Sequence, residues 1–266
     1  MRHNGRMTNP LQRVKQLGLK DAARLFWMRA KKKLAHVAYS PAWLSFRLMN
    51  LGFSYAATAT GEDPRTGKEV SIRKILASIP HGKFLEIGIG EFPHFERLRL
   101  MSEHSISYTG CDFESVCRSH EEELSIKGFS AKNISYAANS TGTYSWTLFE
   151  MLQRGEQYDV IYVDGHHTFY IDLPAIMLAD KLLKPGGYLL LDDIPWSLSF
   201  LKANMMRSLS QWYFYRKIYD FSEYTKEQQS LPHVKMIAEE LLLKRSGYTK
   251  NEGLSHPNWW ILQKQP

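Results

Sequence analysis

Acidic side chains follow two apolar segments of the chain, and their spacing suits the binding of a cation. The segment YDVIYVD ends in Asp164, and the segment GYLLLD ends in Asp192 and is followed by Asp193. Three carboxylates at close range repel one another unless they are protonated or bridged by a cation. Oxygen ligands with room for water suit Mg²⁺ or a similar divalent ion. We therefore expect a divalent metal at these three aspartates. The alternative is that Asp193 caps the next segment and Asp164 binds the amine of a cofactor.

Two histidines, His166 and His167, follow Asp164 almost directly. An imidazole titrates near neutral pH, so beside a hydroxyl that a cation activates it is suited to remove a proton. A lone histidine in a loop is usually structural, but a pair beside an expected carboxylate cluster indicates chemistry. We therefore expect proton transfer at this point of the chain.

Glycines mark the end of an earlier apolar segment. The run Glu86-Ile87-Gly88-Ile89-Gly90 lets the backbone turn sharply, and a ligand can approach a glycine without meeting a Cβ. The third glycine of a dinucleotide-binding fingerprint is absent, because Phe92-Pro93 stands in its place. The turn therefore favours a cofactor without a pyrophosphate.

Asp112 ends the apolar segment that follows the glycine turn. An acid at this position of an α/β fold can accept hydrogen bonds from both ribose hydroxyls of a nucleoside. The alternative is a helix cap ahead of Ser115. Together with the glycine turn, Asp112 favours a cofactor that contains a nucleoside.

These residues need a framework that brings the segment ends together, and apolar segments that alternate with helical patterns supply it. Such alternation implies right-handed βαβ crossovers and a parallel sheet covered on both faces. Ligands bind such a sheet where loops leave the carboxyl ends of the strands. The sequence predicts strands at Lys83–Ile87, Ile106–Asp112, Ile134–Ala137, Tyr158–Asp164, Gly187–Asp192 and Trp259–Gln263, and helices at Val70–Ser78, Phe95–Met101, 115–127, Thr147–Leu152, Leu173–Leu183 and 233–246.

Charge divides the chain into two parts. Residues 1–50 carry 11 lysines and arginines and a single acid, Asp21, whereas the rest of the chain is nearly neutral. We expect a basic helical extension at residues 1–57, a linker at 58–69 and a catalytic domain at 70–266. The extension could lie on an anionic membrane, attract an acidic substrate, or pack on the domain with its basic face in solvent.

Composition excludes several classes of protein. The two cysteines, Cys111 and Cys117, give neither a disulfide framework nor a four-ligand zinc site. No apolar run approaches the roughly 20 residues of a membrane-spanning helix, and no signal peptide is recognisable, so we expect a cytoplasmic protein. Aromatic residues after the fifth strand suit a lid over an acceptor, although core packing or a dimer contact explains them equally well. They are Trp196, Phe200, Trp212, Tyr213, Phe214 and Tyr215.

The motifs FLEIGIGEF, YTGCDFES and YDVIYVDGHH…LLKPGGYLLLDD together resemble those of class I S-adenosylmethionine-dependent methyltransferases. They are most similar to the metal-dependent O-methyltransferases of the macrocin and aminocoumarin sugar type, with catechol O-methyltransferases as more distant relatives. The resemblance covers roughly residues 70–200. It implies a doubly wound, mainly parallel, seven-stranded sheet, the Rossmann-like methyltransferase fold, preceded here by the N-terminal helical extension.

The resemblance also implies roles for individual residues. Family members place a divalent metal at the three aspartates, and their D-G-x-H pattern favours His167 as the base, with His166 in reserve. Asp112 would hold the ribose, and Asn139-Ser140 would lie beside the adenine. Glu86, Gly88 and Gly90 would line the methionine end of the cofactor. The complete set of implied cofactor contacts is Glu86, Gly88, Gly90, Asp112, Phe113, Asn139, Ser140 and Asp164.

We therefore expect an S-adenosylmethionine-dependent O-methyltransferase that acts on a hydroxyl of a small molecule, such as a sugar, polyketide, lipid headgroup or catechol, with Mg²⁺ or another divalent cation. The alternatives are a metal-independent methyltransferase and a non-catalytic cofactor-binding module that associates with membranes through its basic extension. Nucleic acid is not an expected partner, because the domain is slightly acidic and the Asn/Asp-Pro-Pro-Tyr signature of base methyltransferases is absent after the fourth strand. A homo-oligomer is compatible with the sequence.

Overall fold

A computed structural model describes residues 64–90, 92–130, 132–139, 143–205 and 220–266 of the chain. The expected basic extension at 1–57, Ser140 and the aromatic residues at 212–215 lie outside these ranges. Among the described helices, none combines the length and the apolar character that a membrane crossing requires.

One sheet of seven strands organises the described residues. The strands are β1 (Lys83–Ile87), β2 (Ser107–Phe113), β3 (Ile134–Asn139), β4 (Tyr158–Val163), β5 (Leu183–Leu191), β6 (Tyr248–Lys250) and β7 (Trp260–Lys264). They lie in the order β3-β2-β1-β4-β5-β7-β6. The first five strands run parallel, and β7 pairs antiparallel with both β5 and β6. The chain winds outward from β1 to β3 and then returns to β4 beside β1, and such a switch opens a crevice at the carboxyl ends of the strands.

Helices connect the parallel strands and cover both faces of the sheet. They are α1 (Pro64–Ser78), α2 (Phe95–Glu103), α3 (Glu114–Ile126), α4 (Tyr144–Gln153), α5 (Phe169–Leu182), α6 (Leu198–Met205), α7 (Lys226–Ser230) and α8 (His233–Ile237), and a π-helical segment at Ala238–Leu243 continues α8. One apolar core lies under α4, α5 and α8, and the other lies under α1, α2 and α3.

The central strands are apolar on both faces because each face meets a layer of helices. In β4, Ile161 and Val163 belong to the core under α4 and α5, whereas Val160 and Tyr162 belong to the core under α1 and α2. All four side chains are at most 3% exposed. The unbroken apolar run of the motif YDVIYV therefore reflects a strand buried on two sides.

The structure confirms the expected parallel α/β sheet and changes some element boundaries. Helix α1 begins at Pro64, six residues before the expected start of the domain, so the second half of the predicted linker is helical. Strand β5 begins at Leu183 rather than Gly187, because its first residue already pairs with Tyr158 ahead of a register shift. The short strand β6 and the helices α6 and α7 were not predicted.

Candidate active site

The carboxyl ends of four neighbouring strands meet at one rim of the sheet. Hydrogen bonds between neighbouring strands continue to the residue after each strand. The Gly88 amide donates to the Cys111 carbonyl at 3.0 Å, the Asp164 amide to the Ile87 carbonyl at 2.9 Å, and the Asp192 amide to the Val163 carbonyl at 3.0 Å. The residues that follow β1, β4 and β5 are therefore held at fixed distances from one another.

The glycine turn after β1 requires glycine for two reasons. Gly88 and Gly90 have φ angles of 82° and 69°, which L-residues rarely adopt. A Cβ on Gly88 would also overlap the carbonyl oxygen of Asp164. The turn thus lies directly against the end of β4, whereas a Cβ on Gly90 would meet nothing within 4 Å.

Asp112 organises the glycine turn from the end of β2. Its Oδ2 accepts a hydrogen bond from the Ile89 amide at 3.0 Å, and its Oδ1 accepts one from the Phe113 amide at 2.7 Å. Burial raises the pKa of the Asp112 carboxyl, while the amides of Phe113, Ile89 and Gly90 act in the opposite direction. The carboxylate keeps partial contact with solvent, so it can still meet a ligand at the rim.

Asp164, His167 and Asp193 form a cluster that we call the rim cluster. The Nε2 atom of His167 lies 3.3 Å from Oδ2 of Asp193 and 3.8 Å from Oδ1 of Asp164. One ligand atom from each residue lies within 4.8 Å of the other two. The side chains of Asp164, His167 and Asp193 are 33%, 12% and 22% exposed, so a solute can reach them. His167 and Asp193 also have positive φ angles of 60° and 48°, and such strain is often retained at functional sites.

Asp192 adjoins the rim cluster without belonging to it, since the Tyr162 hydroxyl contacts both Asp192 and Asp164. Its Oδ2 forms an ion pair with Lys68 and accepts a hydrogen bond from the Tyr162 hydroxyl. Its Oδ1 accepts a hydrogen bond from the Asp193 amide at 2.9 Å. The closely spaced group thus contains the imidazole of His167 beside Asp164 and Asp193, and the part of Asp192 in a metal site stays a prediction.

The carboxylates at the rim differ in their affinity for protons. Burial and the negative charge of Asp192 raise the pKa of Asp164. Burial also raises the pKa of Asp193, with His167 opposing this effect and Asp192 adding to it. Burial acts on Asp192 in the same direction, but Lys68 and Tyr162 outweigh it and hold the pKa of Asp192 below its usual value.

Burial is the largest cause of the raised pKa values of Asp164 and Asp193 in the rim cluster. Its two carboxylates and one imidazole are donor groups that divalent cations accept in proteins. The donor set therefore fits a divalent ion, and Asp164, His167 and Asp193 are the residues that would hold it.

A second group of side chains fixes the loop between Asp164 and His167. The His166 amide donates to Oδ1 of Asp172 and approaches the Tyr144 hydroxyl, both at 3.0 Å. The Tyr144 hydroxyl donates to the same Asp172 oxygen at 2.7 Å. A Cβ on Gly165 would overlap that oxygen, so this tight loop also needs glycine. Burial lowers the pKa of the His166 imidazole, with Asp172 opposing this effect.

Glu86 belongs to a buried ion-pair network rather than to the open rim. Its side chain is 3% exposed, and its two oxygens bind Arg97 and the hydroxyl of Tyr108, the latter at 2.9 Å. Arg97 also binds Glu69 at 2.8 Å and lies over the ring of Tyr162, with 4.6 Å between its Cζ and the ring centroid. Burial raises the pKa of Glu86, and Arg97 opposes this rise.

No family model matches the chain, and no curated protein does so either. Solved structures are similar to it. A candidate caffeoyl-CoA O-methyltransferase from Staphylococcus aureus has a TM-score of 0.50 and 16% identity, over 89% of this chain and 98% of that chain. An O-methyltransferase family protein from Burkholderia thailandensis has a TM-score of 0.49 and 15% identity, over 76% of this chain and 55% of that chain. An O-methyltransferase from Bacillus cereus, solved with SAH, has a TM-score of 0.47 and 14% identity, over 79% of this chain and 84% of that chain.

The chain has the class I methyltransferase fold. The strand order, with an antiparallel β7 inserted between β5 and β6, and the likeness to the first of these structures both show it. At 16% identity the likeness shows the fold alone, so the activity has to be argued from the site.

The methyltransferase fold brings the predicted site residues into two groups and leaves others apart. Gly88, Gly90 and Asp112 meet at the end of β1 and β2, and Phe113 beside them is half-exposed. Asn139 is buried at the end of β3, and Ser140 lies outside the described residues. Asp164, His167 and Asp193 meet at the ends of β4 and β5.

Several residues at the site carry no motif that sequence reasoning could have used. Lys68 lies in the segment predicted as a linker, and Tyr144 and Asp172 lie in helices whose first turns were not predicted. Trp196 was expected as part of an aromatic lid; it lies beside the imidazole of His167, with ring centroids 5.4 Å apart, and Phe200 follows at 5.2 Å from Trp196.

Proposed function

We propose that the protein is an S-adenosylmethionine-dependent O-methyltransferase that acts on a hydroxyl of a small molecule with the help of a divalent cation. One observation carries the proposal. In a methyltransferase fold, the rim cluster of Asp164, His167 and Asp193 lies on the same rim as the turn of Gly88, whose Cα approaches the Asp164 carbonyl. A cofactor site and a cluster able to hold an acceptor therefore adjoin one another.

The cofactor is proposed to lie over the ends of β1 and β2. The left-handed turn packs against β4 at Gly88 and has open space at Gly90, where a ligand can approach the backbone. Asp112 is held in place by two amides and remains partly exposed, which suits a carboxylate that accepts hydrogen bonds from the ribose hydroxyls. Phe113, 49% exposed, offers a face beside the base.

Glu86 has a different proposed role from the one that the resemblance implies. Its two carboxylate oxygens are engaged by Arg97 and Tyr108 in the interior. We therefore assign it to the support of β1 rather than to direct contact with the methionine end of the cofactor.

Methyl transfer forms a bond between the acceptor oxygen and the methyl carbon while the bond between that carbon and sulfur breaks. The sulfur departs as the thioether S-adenosylhomocysteine, and the hydroxyl loses its proton. A divalent ion at the rim cluster would lower the pKa of that hydroxyl. Asp164, His167 and Asp193 would hold that ion, and the hydroxyl proton would pass to solvent at the partly exposed rim. Trp196 lies beside the imidazole of His167, with 5.4 Å between the ring centroids, and would contact an acceptor bound there.

Acceptors with two neighbouring oxygens, such as sugars or catechols, suit this site best, because two oxygens can be held together at one cation. A metal-independent methyltransferase is the second candidate. The pairing of Asp192 with Lys68 favours it, since one of the predicted ligands is satisfied without a metal.

Two measurements test the proposal. Calorimetric titration with S-adenosylhomocysteine should show binding, and its absence would contradict the proposed function. Transfer of a radiolabelled methyl group should then be measured across a panel of sugars, catechols and their mono-hydroxyl analogues, with and without EDTA. Activity that EDTA abolishes and divalent ions restore supports the metal-assisted reaction, whereas activity that survives EDTA supports the metal-independent one.

A further inference from the structure

We infer that the cation site of this protein consists of two carboxylates and one imidazole, and that Lys68 gives it this composition by holding Asp192 away from the ion. Such a site prefers a first-row transition ion over Mg²⁺. The inference deepens the proposed function, on which it rests for the role of the ion, and it changes the metal that the sequence predicts.

The rim cluster has the spacing of ligands around one ion. Two ligand atoms that each lie about 2.1 Å from a common ion are roughly 3.0–3.5 Å apart, depending on the coordination angle. The Nε2 atom of His167 lies 3.3 Å from Asp193 Oδ2 and 3.8 Å from Asp164 Oδ1. The distance from His167 to Asp193 therefore already fits two ligands of one ion, and all three ligand atoms lie within 4.8 Å of one another.

Asp192 is prevented from joining this set by its own contacts. The Lys68 ammonium and the Tyr162 hydroxyl both bind its Oδ2, and the Asp193 amide binds its Oδ1. An ion that recruited Oδ2 of Asp192 would have to break a buried ion pair and leave the ammonium unpaired, and an ion at Oδ1 would be repelled by the same nearby ammonium. Separating such a pair is strongly unfavourable.

Lys68 is itself firmly held where it acts. Its side chain is 13% exposed, and its ammonium donates to the Tyr162 hydroxyl at 2.9 Å. The ammonium lies 5.3 Å from the ring centroid of Tyr162 and 5.6 Å from that of Trp259. Because β4, the residue after β5 and the segment before β7 all contact this lysine of α1, the fold sets its position.

The exchange of a carboxylate for an imidazole changes the preference for metals. Mg²⁺ favours oxygen ligands in a near-octahedral arrangement and rarely accepts nitrogen in proteins. Imidazole suits ions such as Fe²⁺, Co²⁺ and Zn²⁺, whose affinities for nitrogen ligands exceed that of Mn²⁺. His167 is on this view a ligand, and the expectation that it acts as the base is replaced.

The test is ion binding by the full chain after treatment with a chelator, without cofactor or acceptor. Co²⁺ serves as the transition-ion probe because its visible absorption reports nitrogen ligation, and Mg²⁺ is measured by calorimetry and by competition with Co²⁺. We expect Co²⁺ to bind at least about tenfold more tightly than Mg²⁺. Equal affinity for the two ions, or tighter binding of Mg²⁺, would overturn the inference.

Two variants separate the contributions of the ligand and of the lysine. The variant His167→Asn is chosen because asparagine tolerates a positive φ. It should weaken Co²⁺ binding by about tenfold or more and alter the Co²⁺ spectrum. Its Mg²⁺ binding should be nearly unchanged. Lys68→Met should free Asp192 and strengthen Mg²⁺ binding by about tenfold. Lys74→Met, an exposed lysine on the same helix, is the control and should change neither affinity.

An unchanged Co²⁺ affinity in His167→Asn contradicts the inference, as does an unchanged Mg²⁺ affinity in folded Lys68→Met. Circular dichroism establishes whether Lys68→Met folds; if it does not, the His167→Asn result decides alone. Binding of S-adenosylhomocysteine is measured in parallel. A protein that binds Co²⁺ as expected but no cofactor would disprove the proposed function and leave the composition of the ion site standing.

Discussion

His167 and Asp193 hold backbone conformations that few residues other than glycine adopt. Among the described residues outside glycine, only His81 and Ser105 share a positive φ. Each such conformation costs on the order of 1–3 kcal/mol when the surrounding structure imposes it. Two of them occur within the rim cluster, at His167 and Asp193, whose side chains lie 3.3 Å apart. At the scale of the residue, the site is therefore built at the expense of local stability.

Gly88 is a second position at which the backbone shapes the site. Because it has no side chain, the glycine turn can lie against the end of β4. Gly88→Ala should lower the free energy of unfolding by about 2–4 kcal/mol, since the new methyl combines a positive φ with overlap on the Asp164 carbonyl. Gly128→Ala is the matched control: its φ is 63°, but its Cβ would meet nothing within 4 Å. It should lose only about 1 kcal/mol. Urea denaturation of both variants measures the difference, and equal losses would show that backbone strain alone accounts for the effect.

At the scale of elements, Arg97 joins two helices and a strand. It lies on α2, binds Glu69 on α1 and Glu86 on β1, and is buried with both partners. Removal of one member of a buried ion pair leaves the others uncompensated and costs about 3–5 kcal/mol. Arg97→Met should therefore destabilise the protein by about this amount at neutral pH. Arg73→Met is the control, because Arg73 on α1 pairs with Glu103 on α2 at a position where both side chains are half-exposed; it should cost at most about 1 kcal/mol.

The effect of Arg97→Met should depend on pH. Burial already raises the pKa of Glu86 above its ordinary value of 4.5, and Arg97 limits that rise. A carboxyl whose pKa is higher in the folded than in the unfolded state favours folding at low pH, and this advantage is lost as pH rises through the folded pKa. Without Arg97 the folded pKa rises further. The difference between variant and wild type should therefore be largest near pH 7 and shrink as pH falls toward 4.5. Urea denaturation across this range measures it, and a difference independent of pH would contradict the electrostatic account.

The elements that the sequence predicts well are those with long apolar runs. Strand Lys83–Ile87 has the predicted bounds, because burial on both faces leaves a short unbroken apolar segment between polar turns. Strand β6, Tyr248–Lys250, was missed because three residues at the edge of a sheet carry no readable period. The predicted strand β5 begins at Gly187, four residues late. The segment LKPG is typical of a turn, but pairing with β4 extends the strand through it.

The site was predictable to the extent that it follows the ends of strands. Asp112, Asp164 and Asp193 end or follow apolar segments, and the structure places them at one rim. The partner of Asp192 could not be predicted, because Lys68 is 124 residues away and no local pattern links an ammonium in α1 to the end of β5. The contacts of Asp192 are thus decided by tertiary structure rather than by the motif.

At the scale of the whole molecule, the sheet places the glycine turn on one side of the junction between β1 and β4 and the rim cluster on the other. Hydrogen bonds between these strands run to their last residues, as the Asp164 amide shows by its bond to Ile87 at 2.9 Å. A ligand that contacts the ends of both β1 and β2 binds only the folded state. Its binding energy must therefore stabilise the fold as a whole.

Addition of S-adenosylhomocysteine at about 100 times its Kd should raise the free energy of unfolding by about 2.7 kcal/mol. Asp112→Asn should reduce this gain. The carboxylate accepts hydrogen bonds from the backbone amides of Ile89 and Phe113, and the side-chain nitrogen of an asparagine would face one of these donors without being able to accept from it. A tenfold loss of affinity corresponds to about 1.4 kcal/mol. Thermal and urea unfolding with and without the ligand measure both effects. Asp220→Asn, a change at an exposed carboxylate that accepts from the Ser222 amide, should keep the full gain. Equal stabilisation of Asp112→Asn and wild type would show that the ligand does not depend on the end of β2.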